Sequence, residues 1–162
     1  REPKSGAKRA QVIVVTKCPD HLSDLEKTAI TRRLNLESNQ VVFFSSIHYS
    51  ETLKSSTSSS ALADLRGTHF TLVTGIANPT PLVSYLKEMG LDFEHLNYKD
   101  HHEFSKSELE LIHSKSLVVT TEKDFSRLHT ESQNQIYYLP IQLKIDNASE
   151  FDRLVEGYVK EF

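Results

Sequence analysis

The sequence contains a single cysteine, Cys18, so no disulfide can form within the chain. It also lacks any apolar run near the length of about 20 residues that a helix needs to cross a bilayer. No secretion signal is visible at the amino end. Together these absences favour a reducing, cytoplasmic environment.

Several catalytic signatures are missing as well. The sequence has no GxxxxGK[ST] phosphate-binding loop, no GxSxG nucleophile elbow and no common metal-binding spacing of histidines or cysteines. Its net charge of −3 argues against non-specific binding of nucleic acid, which needs a basic face. The chain begins at Arg1 and its one methionine is Met89. We therefore expect the C-terminal part of a longer protein.

What the sequence does contain is a regular alternation of β-type apolar runs and helix-like segments over 162 residues. Such a rhythm is typical of an α/β protein with a mostly parallel sheet and helices on both faces, a three-layer, Rossmann-like arrangement. The length suits one domain, 1–162. The polar, serine-rich stretch 52–60 has little to bury and is predicted to be a flexible surface loop.

Local signals place several helix starts. Ser23 with Glu26 and Ser105 with Glu108 have the spacing of capping boxes. Thr80 is predicted to cap a helix with Pro81 at its first position, and Gly90 to end that helix. In the first helix, Leu25, Ala29, Ile30 and Leu34 are expected to share one apolar face.

The densest group of reactive side chains is Asp100-His101-His102-Glu103, which follows the strand-like run 93–98. Loops at strand ends are where α/β proteins place their chemistry. An aspartate can orient a neighbouring imidazole for proton transfer, and a metal site or a plain surface loop are the alternatives. Adjacent residues in extended chain point opposite ways, so one of the two histidines is expected to face the site.

Three further segments follow predicted strands. Lys17 could reach a phosphate or an acidic partner, or extend into solvent. The turn that contains Gly75 and Asn78 precedes a helix whose first N–H groups favour an anion, although a simple turn explains it equally well. Lys123 and Asp124 open another helix, where they could hold a ligand, or where the preceding threonines could merely cap the helix.

Taken in order, these segments resemble one family, the tetraacyldisaccharide 4'-kinases that phosphorylate lipid A precursors in Gram-negative bacteria. The resemblance runs over essentially the whole chain. The matching stretches are Arg1-Glu2-Pro3, Val14-Val15-Thr16-Lys17-Cys18-Pro19, Thr74-Gly75-Ile76-Ala77-Asn78-Pro79, Phe93-Glu94-His95-Leu96, Asp100-His101-His102-Glu103-Phe104 and Thr120-Thr121-Glu122-Lys123-Asp124-Phe125-Ser126-Arg127-Leu128.

The resemblance implies a P-loop kinase that moves the γ-phosphate of ATP to the 4'-hydroxyl of tetraacyldisaccharide 1-phosphate at the cytoplasmic face of the inner membrane. ATP and Mg²⁺ would be bound mainly by an N-terminal P-loop domain outside this chain, and residues 1–10 would be the linker from that domain. The chain alone is expected to be inactive.

The resemblance also suggests residue roles. His101, with His102 as second choice, would pair with a catalytic aspartate of the N-terminal domain, and Asp100 would orient the loop. The residues expected to line the cleft or contact the other domain are Lys17, Asn78, Lys123 and Asp124. The basic residues near Arg1 could meet an anionic head group or phosphate. No metal ligand is expected in this chain.

Two other functions stay open from the sequence. One is a non-catalytic binding or interaction domain that has kept the fold. The other is a metal-dependent phosphoesterase that uses Asp100, His101 and His102.

Overall fold

The chain folds as an α/β protein in which strands and helices alternate. A computed structural model describes residues 4–128 and 135–160. Its strands are β1 (Val12–Cys18), β2 (Val41–Tyr49), β3 (Thr52–Lys54), β4 (Ser59–Ala61), β5 (Phe70–Thr74), β6 (Phe93–Asn97), β7 (Leu117–Thr121), β8 (Gln135–Leu139) and β9 (Ile141–Ile145). Its α-helices are α1 (Asp24–Leu34), α2 (Thr80–Glu88), α3 (Lys106–His113), α4 (Glu122–Leu128) and α5 (Ala148–Lys160). None of the helices in these described residues has both the length and the apolar character to span a membrane.

The strands form two sheets, and the chain forms two compact units. Unit 1 comprises the described residues up to His48 and those from Gln142 onward, and it carries a three-stranded sheet in the order β1-β2-β9. Unit 2 comprises the described residues of Tyr49–Ile141 and carries a six-stranded sheet in the order β4-β3-β8-β7-β5-β6. The expectation of a single domain over 1–162 stays a prediction.

The sheet of unit 2 confirms the predicted mostly parallel arrangement. Strands β8, β7, β5 and β6 are parallel neighbours, while β3 pairs antiparallel with β8 and with β4. All five residues of β5 are buried, as expected for a central strand that is covered on both faces.

Helices cover both faces of this sheet. Leu72 of β5 lies in one core cluster with Leu86 of α2. The next residue, Val73, lies in a second cluster with Ile112 of α3 and Leu128 of α4. Because successive side chains of a strand point to opposite faces, α2 packs on one face while α3 and α4 pack on the other. The expected layering of a sheet between helices is therefore present in unit 2.

Most local predictions are confirmed. Both capping boxes form, with the side chain of Ser23 accepting from the backbone of Glu26 and that of Ser105 accepting from the backbone of Glu108. Gly90 follows the end of α2 with a φ of +73°, the left-handed conformation that ends helices.

The start of α2 differs by one residue from the prediction. The helix begins at Thr80 after Pro79, so Thr80 is not its cap. The acceptor comes instead from Asn78, whose Oδ1 accepts the N–H of Thr80 at 3.2 Å. An asparagine two residues before a helix can fill this role because its side chain mimics a backbone carbonyl.

The stretch 52–60, predicted to be a flexible loop, contains the hairpin of β3 and β4. Leu53, only 1% exposed, belongs to the core cluster of α2, and Lys54 pairs with Tyr138 of β8. The serine-rich composition did not indicate a strand. The strand is stabilised by this one buried leucine and by pairing with a strand more than 80 residues away, which local composition does not reveal.

Helix α1 forms where expected, since its capping box is local, but its apolar face is poorly covered. No residue of α1 is buried, and Leu25 is 85% exposed. Ala29 and Leu34 are exposed as well, while Ile30 is half-buried. Of the expected linker 1–10, Arg1 to Pro3 lie outside the described residues, and Lys4–Arg9 form a 3₁₀ segment.

Candidate functional site

The carboxyl ends of three parallel strands gather most of the predicted site residues. Asn78 follows β5, Asp100 to His102 follow β6, and Lys123 and Asp124 follow β7. The strands lie in the order β7-β5-β6, so these three loops share one edge of the sheet. The chain leaves β5 toward β6 and leaves β7 toward β8, and ligands of α/β proteins bind at such a change of direction.

Asp124 lies inside this edge and not in an open cleft. Its side chain is fully buried and accepts hydrogen bonds from the N–H of Gly75 at 2.7 Å, from Thr121 Oγ1 at 2.8 Å and from Arg127 Nη2. It therefore ties the loop after β5 to the start of α4. The expected cleft-lining role of Asp124 gives way to a positioning role in this structure.

The lack of a side chain at Gly75 favours this close approach. A Cβ atom at position 75 would lie 3.0 Å from Asp124 Oδ1 and 3.6 Å from Arg127 Nη2. Both atoms are held by the hydrogen bonds just described, so neither can easily move away.

Helix α4 holds the Asp100-His101-His102 loop at two points. Lys123 Nζ donates to Asp100 Oδ1 at 2.8 Å, and Arg127 Nη1 donates to the carbonyl oxygen of His102 at 2.9 Å. Residues four apart lie on the same side of a helix, which explains how one short helix reaches both ends of the loop. The ammonium of Lys123 also lowers the pKa of Asp100, so this carboxylate stays charged.

His102 is packed as a structural residue. Its ring stacks on Tyr98 at 4.8 Å between centroids and meets the edge of Phe104 at 5.2 Å. Its Nε2 lies 3.1 Å from both carboxylate oxygens of Glu108. The backbone N–H of Ser105, together with His102 and the Ser105 hydroxyl, lowers the pKa of Glu108 to about 2.

His101 has the opposite environment. The N–H of His102 bonds the carbonyl of Lys99 at 3.1 Å, which makes His101 the third residue of a tight turn with a φ of +58°. The imidazole is 78% exposed, with Nε2 3.8 Å from Asp100 Oδ2. Non-glycine residues adopt a positive φ at a cost of about 1–3 kcal/mol, and such conformations cluster at functional sites. The anchored neighbours on either side keep His101 there.

The three residues of the alternative phosphoesterase site do not converge. Asp100 is paired with Lys123 and His102 with Glu108, while His101 projects outward. Among residues 4–128 and 135–160 no group of three histidine, cysteine or acidic side chains could hold a metal ion. With no phosphate-binding loop in the sequence either, the described residues do not fit the triphosphate and Mg²⁺ of a kinase.

Lys17 belongs to unit 1 and is not among the residues gathered by the sheet of unit 2. It is exposed, with a φ of +60°, where the pairing of β1 with β2 shifts register between Val15 and Cys18. A cavity of about 90 Å³ in unit 1 is lined in part by Cys18, Lys27 and Ser45, and Lys17 is not among its lining residues. This volume is small beside the roughly 300 Å³ of typical ligand sites.

The sequence reasoning missed Arg127 at this edge and left open which of two threonines caps α4. Arg127 secures both Asp124 and the His102 carbonyl, and its Nε is buried without a hydrogen-bond partner among the described residues. Thr121 Oγ1 accepts the N–H of Asp124 at 3.1 Å, whereas Thr120 Oγ1 bonds the carbonyl of Val73. The Thr-x-x-Asp spacing of 121 and 124 is a helix-start signal that identifies Thr121 as the cap.

A second missed group lies on β5 and β6. The fully buried Thr74 Oγ1 lies 2.9 Å from His95 Nε2 and donates to Asn97 Oδ1 at 3.2 Å. Burial, followed by the nearby charge of Lys87, lowers the pKa of His95. The surroundings of His95 therefore favour its neutral form.

Comparison with known proteins agrees with the resemblance seen in the sequence. A family model described as tetraacyldisaccharide-1-P 4'-kinase matches residues 1–160. A tetraacyldisaccharide 4'-kinase from Flavobacterium johnsoniae is 38% identical over 99% of this chain and 48% of its own length. One from Bacteroides thetaiotaomicron is 34% identical over 99% of the chain and 49% of its own length. The chain thus spans about half the length of the curated relatives it matches.

A solved structure supports the fold. The crystal structure of LpxK from Aquifex aeolicus, described as an "apo" form in complex with ATP, matches with a TM-score of 0.60 at 16% sequence identity. The match covers 96% of this chain and 45% of that one. At this identity the similarity speaks for the fold alone.

Proposed function

Because this chain belongs to the tetraacyldisaccharide-1-P 4'-kinase family, we propose that it is one part of a kinase that transfers the γ-phosphate of ATP to the 4'-hydroxyl of tetraacyldisaccharide 1-phosphate. The remaining half of the relatives' length would supply the P-loop domain, with the ligands for ATP and Mg²⁺. The substrate is a lipid A precursor, and the enzyme would work at the cytoplasmic face of the inner membrane.

The exposed position of the His101 side chain is the observation that supports a catalytic contribution from this chain. Its neighbours Asp100 and His102 are each bonded to α4, while its own ring is largely exposed at the carboxyl edge of the parallel sheet. A residue in an unfavourable backbone conformation with a largely exposed side chain is suited to contact a group outside the loop. Among the two histidines of the loop, His101 is therefore the proposed functional one.

The proposed role follows from the needs of phosphoryl transfer. Catalysis of this reaction consists mainly of positioning and of charge stabilisation, and a carboxylate accepts the proton of the attacking hydroxyl. His101 would hydrogen-bond and orient such a carboxylate from the other half of the enzyme, and its charged form would offset the negative charge there. Asp100, kept ionised by Lys123, would hold the loop in place.

The test is a set of histidine variants in the complete polypeptide. We expect His101→Ala to lower kcat by about 10²-fold, the usual size of a proton-transfer contribution, with little change in KM for the lipid. His69→Ala is the matched control, because His69 is also exposed and paired with an aspartate, Asp92, but precedes β5 at the opposite end of the strand. A kcat of His101→Ala equal to that of the control would remove His101 from the mechanism.

The alternative of a non-catalytic domain makes the contrary prediction. A chain that only binds or scaffolds would tolerate His101→Ala without loss of turnover, and His102→Ala would be the more harmful change through lost packing. Turnover separates the two cases, and thermal unfolding shows whether a loss of turnover comes from unfolding. We expect His102→Ala to lower the melting temperature and His101→Ala to leave it within about 2 °C, since an exposed side chain contributes little to stability.

A further inference from the structure

Apolar side chains are distributed very unevenly between the two units. Of the 17 buried hydrophobic residues found among the described residues, only Phe43 and Phe44 lie in unit 1. Of the nine large hydrophobic residues found exposed there, seven lie in unit 1, including Leu25 at 85% and Val159 at 72%. Unit 1 therefore leaves more of its large apolar side chains exposed than unit 2 does.

Strand β1 is one of the two edge strands of the sheet of unit 1. Its first four residues, Val12 to Val15, are all apolar and only partly buried. Natural edge strands are usually protected by charges, proline or bulges, because an open apolar edge pairs with other chains. In β1 the first charge, Lys17, and the register shift come only after this run.

The backbone of β1 presents bonding groups to that open edge. Gln11 accepts the N–H of Val41 at 2.8 Å, so alternate residues from Gln11 onward face β2. The backbone groups of Val12 and Val14 consequently face the outer edge, where no described strand pairs with them.

Both faces of the sheet are only partly covered. Phe43, opposite Val14, touches Phe151 of α5 with ring centroids 5.2 Å apart. Phe44, on the other face, lies 5.7 Å beneath the ammonium of Lys27 of α1. One helix therefore covers each face beside β2, while the side chains of β1 stay half exposed. A continuous apolar run flanked by helices on both faces is typical of an interior strand of a parallel sheet.

We propose that β1 becomes an interior strand when a strand from the other half of the complete polypeptide pairs with its outer edge, and that the same half covers Leu25 of α1. The proposal rests on the proposed function in one premise only. Both assume a further half of the polypeptide, as in the longer relatives, of which this chain spans 48–49%. A second copy of this chain is a less suitable partner for the open edge of β1. Two copies related by a two-fold axis would pair β1 with β1 in antiparallel fashion, whereas the apolar run suits parallel pairing inside a covered sheet.

Amide hydrogen exchange in the complete polypeptide tests the pairing. We expect the amides of Val12 and Val14 to exchange as slowly as that of Leu72 in the interior strand β5, measured residue by residue by NMR. Exchange roughly 10²-fold or more faster than at Leu72, as for an open edge, would overturn the proposal. Protection that disappears on dilution would overturn it too, because it would assign the edge to a second copy.

A pair of variants tests the covered helix. In the complete polypeptide, Leu25→Glu should lower the melting temperature by roughly 5 °C or more, since it would bury a charge against the other half. Leu111→Glu is the matched control, because Leu111 is a leucine on a helix of unit 2 that is 48% exposed. Equal shifts for the two variants would overturn the proposal. Neither measurement uses kinase activity, so an inactive enzyme with a protected β1 would reject the proposed function and leave this inference standing.

Discussion

Of the two adjacent histidines, one packs against its neighbours and the other exposes its side chain to solvent. His102 is enclosed by Tyr98, Phe104 and Glu108, and its backbone carbonyl is bonded to Arg127. His101 has an exposed ring and a strained backbone. The exposed ring and the positive φ of His101 are the observations on which its proposed role rests.

This division leads to a prediction for His101→Gly. Glycine adopts a positive φ without strain, so the variant should be as stable as the wild type or more stable by up to about 1 kcal/mol. Its kcat in the complete polypeptide should nevertheless fall as far as that of His101→Ala. Urea unfolding and turnover measured on the same preparation check both statements. A clear loss of stability would show that the ring supports the fold.

Glu108 should make the stability of the chain depend on pH. Its pKa is lowered from 4.5 to about 2 in the folded chain, chiefly by the N–H of Ser105 and by His102. The unfolded chain therefore binds the proton more readily, and the stability from this group is complete above pH 4.5 and lost as the pH falls toward 2. We expect Glu108→Gln to flatten the fall in melting temperature between about pH 5 and pH 3. An unchanged slope would contradict the assigned contacts.

Helix α4 connects the loops at the carboxyl edge of the sheet of unit 2. Lys123, Asp124 and Arg127 bond the loop after β6 and the turn after β5. The helix has only seven residues, too few to be stable by itself. Its order comes from these bonds and from the burial of Leu128, so the site loops and the helix should stabilise one another.

Two glycine substitutions test the close approach at this edge. Gly75→Ala should destabilise the chain by about 1–3 kcal/mol, because the new methyl group would press on the buried Asp124 carboxylate. Gly157→Ala should instead stabilise it by about 0.5–1 kcal/mol, since Gly157 lies within α5 with nothing near its Cβ position. Urea unfolding of both variants provides the comparison. A neutral Gly75→Ala would mean that Asp124 can move.

The sequence predicted those elements whose cause is local. The capping boxes at Ser23 and Ser105 formed where the spacing placed them, because every partner lies within three residues. The strand at Leu53 was missed, because its partner β8 is distant in the chain. The burial of Asp124 was missed for the same reason, since Gly75 lies 49 residues before it. The position of the site loops at one edge of the sheet could be predicted from the parallel strands. The burial of the Asp124 side chain could not.

The two units differ in how much apolar surface they bury. Unit 2 has a core on both faces of its sheet, whereas the described residues of unit 1 include two buried hydrophobic residues and partly covered strands. Buried apolar surface supplies most of the free energy of folding. We therefore expect unit 2 to be the more stable of the two units.

Limited proteolysis of the 162-residue chain should reveal this difference. We expect the first cleavages between residues 10 and 48 or after residue 142, and a resistant product that contains Tyr49–Ile141. Local opening is easier where few apolar contacts must break. Mass spectrometry of the early products checks the order. Early cleavage within β5 or β7 would contradict the assignment of the core.

We propose that this chain forms one part of a lipid kinase and brings His101 to the reaction. The test is transfer of labelled γ-phosphate from ATP to tetraacyldisaccharide 1-phosphate by the complete polypeptide, by its His101→Ala variant and by the 162-residue chain alone. We expect turnover by the first, a loss of about 10²-fold in the second and none by the third. Robust turnover by the chain alone, or full activity without the His101 imidazole, would overturn this proposal.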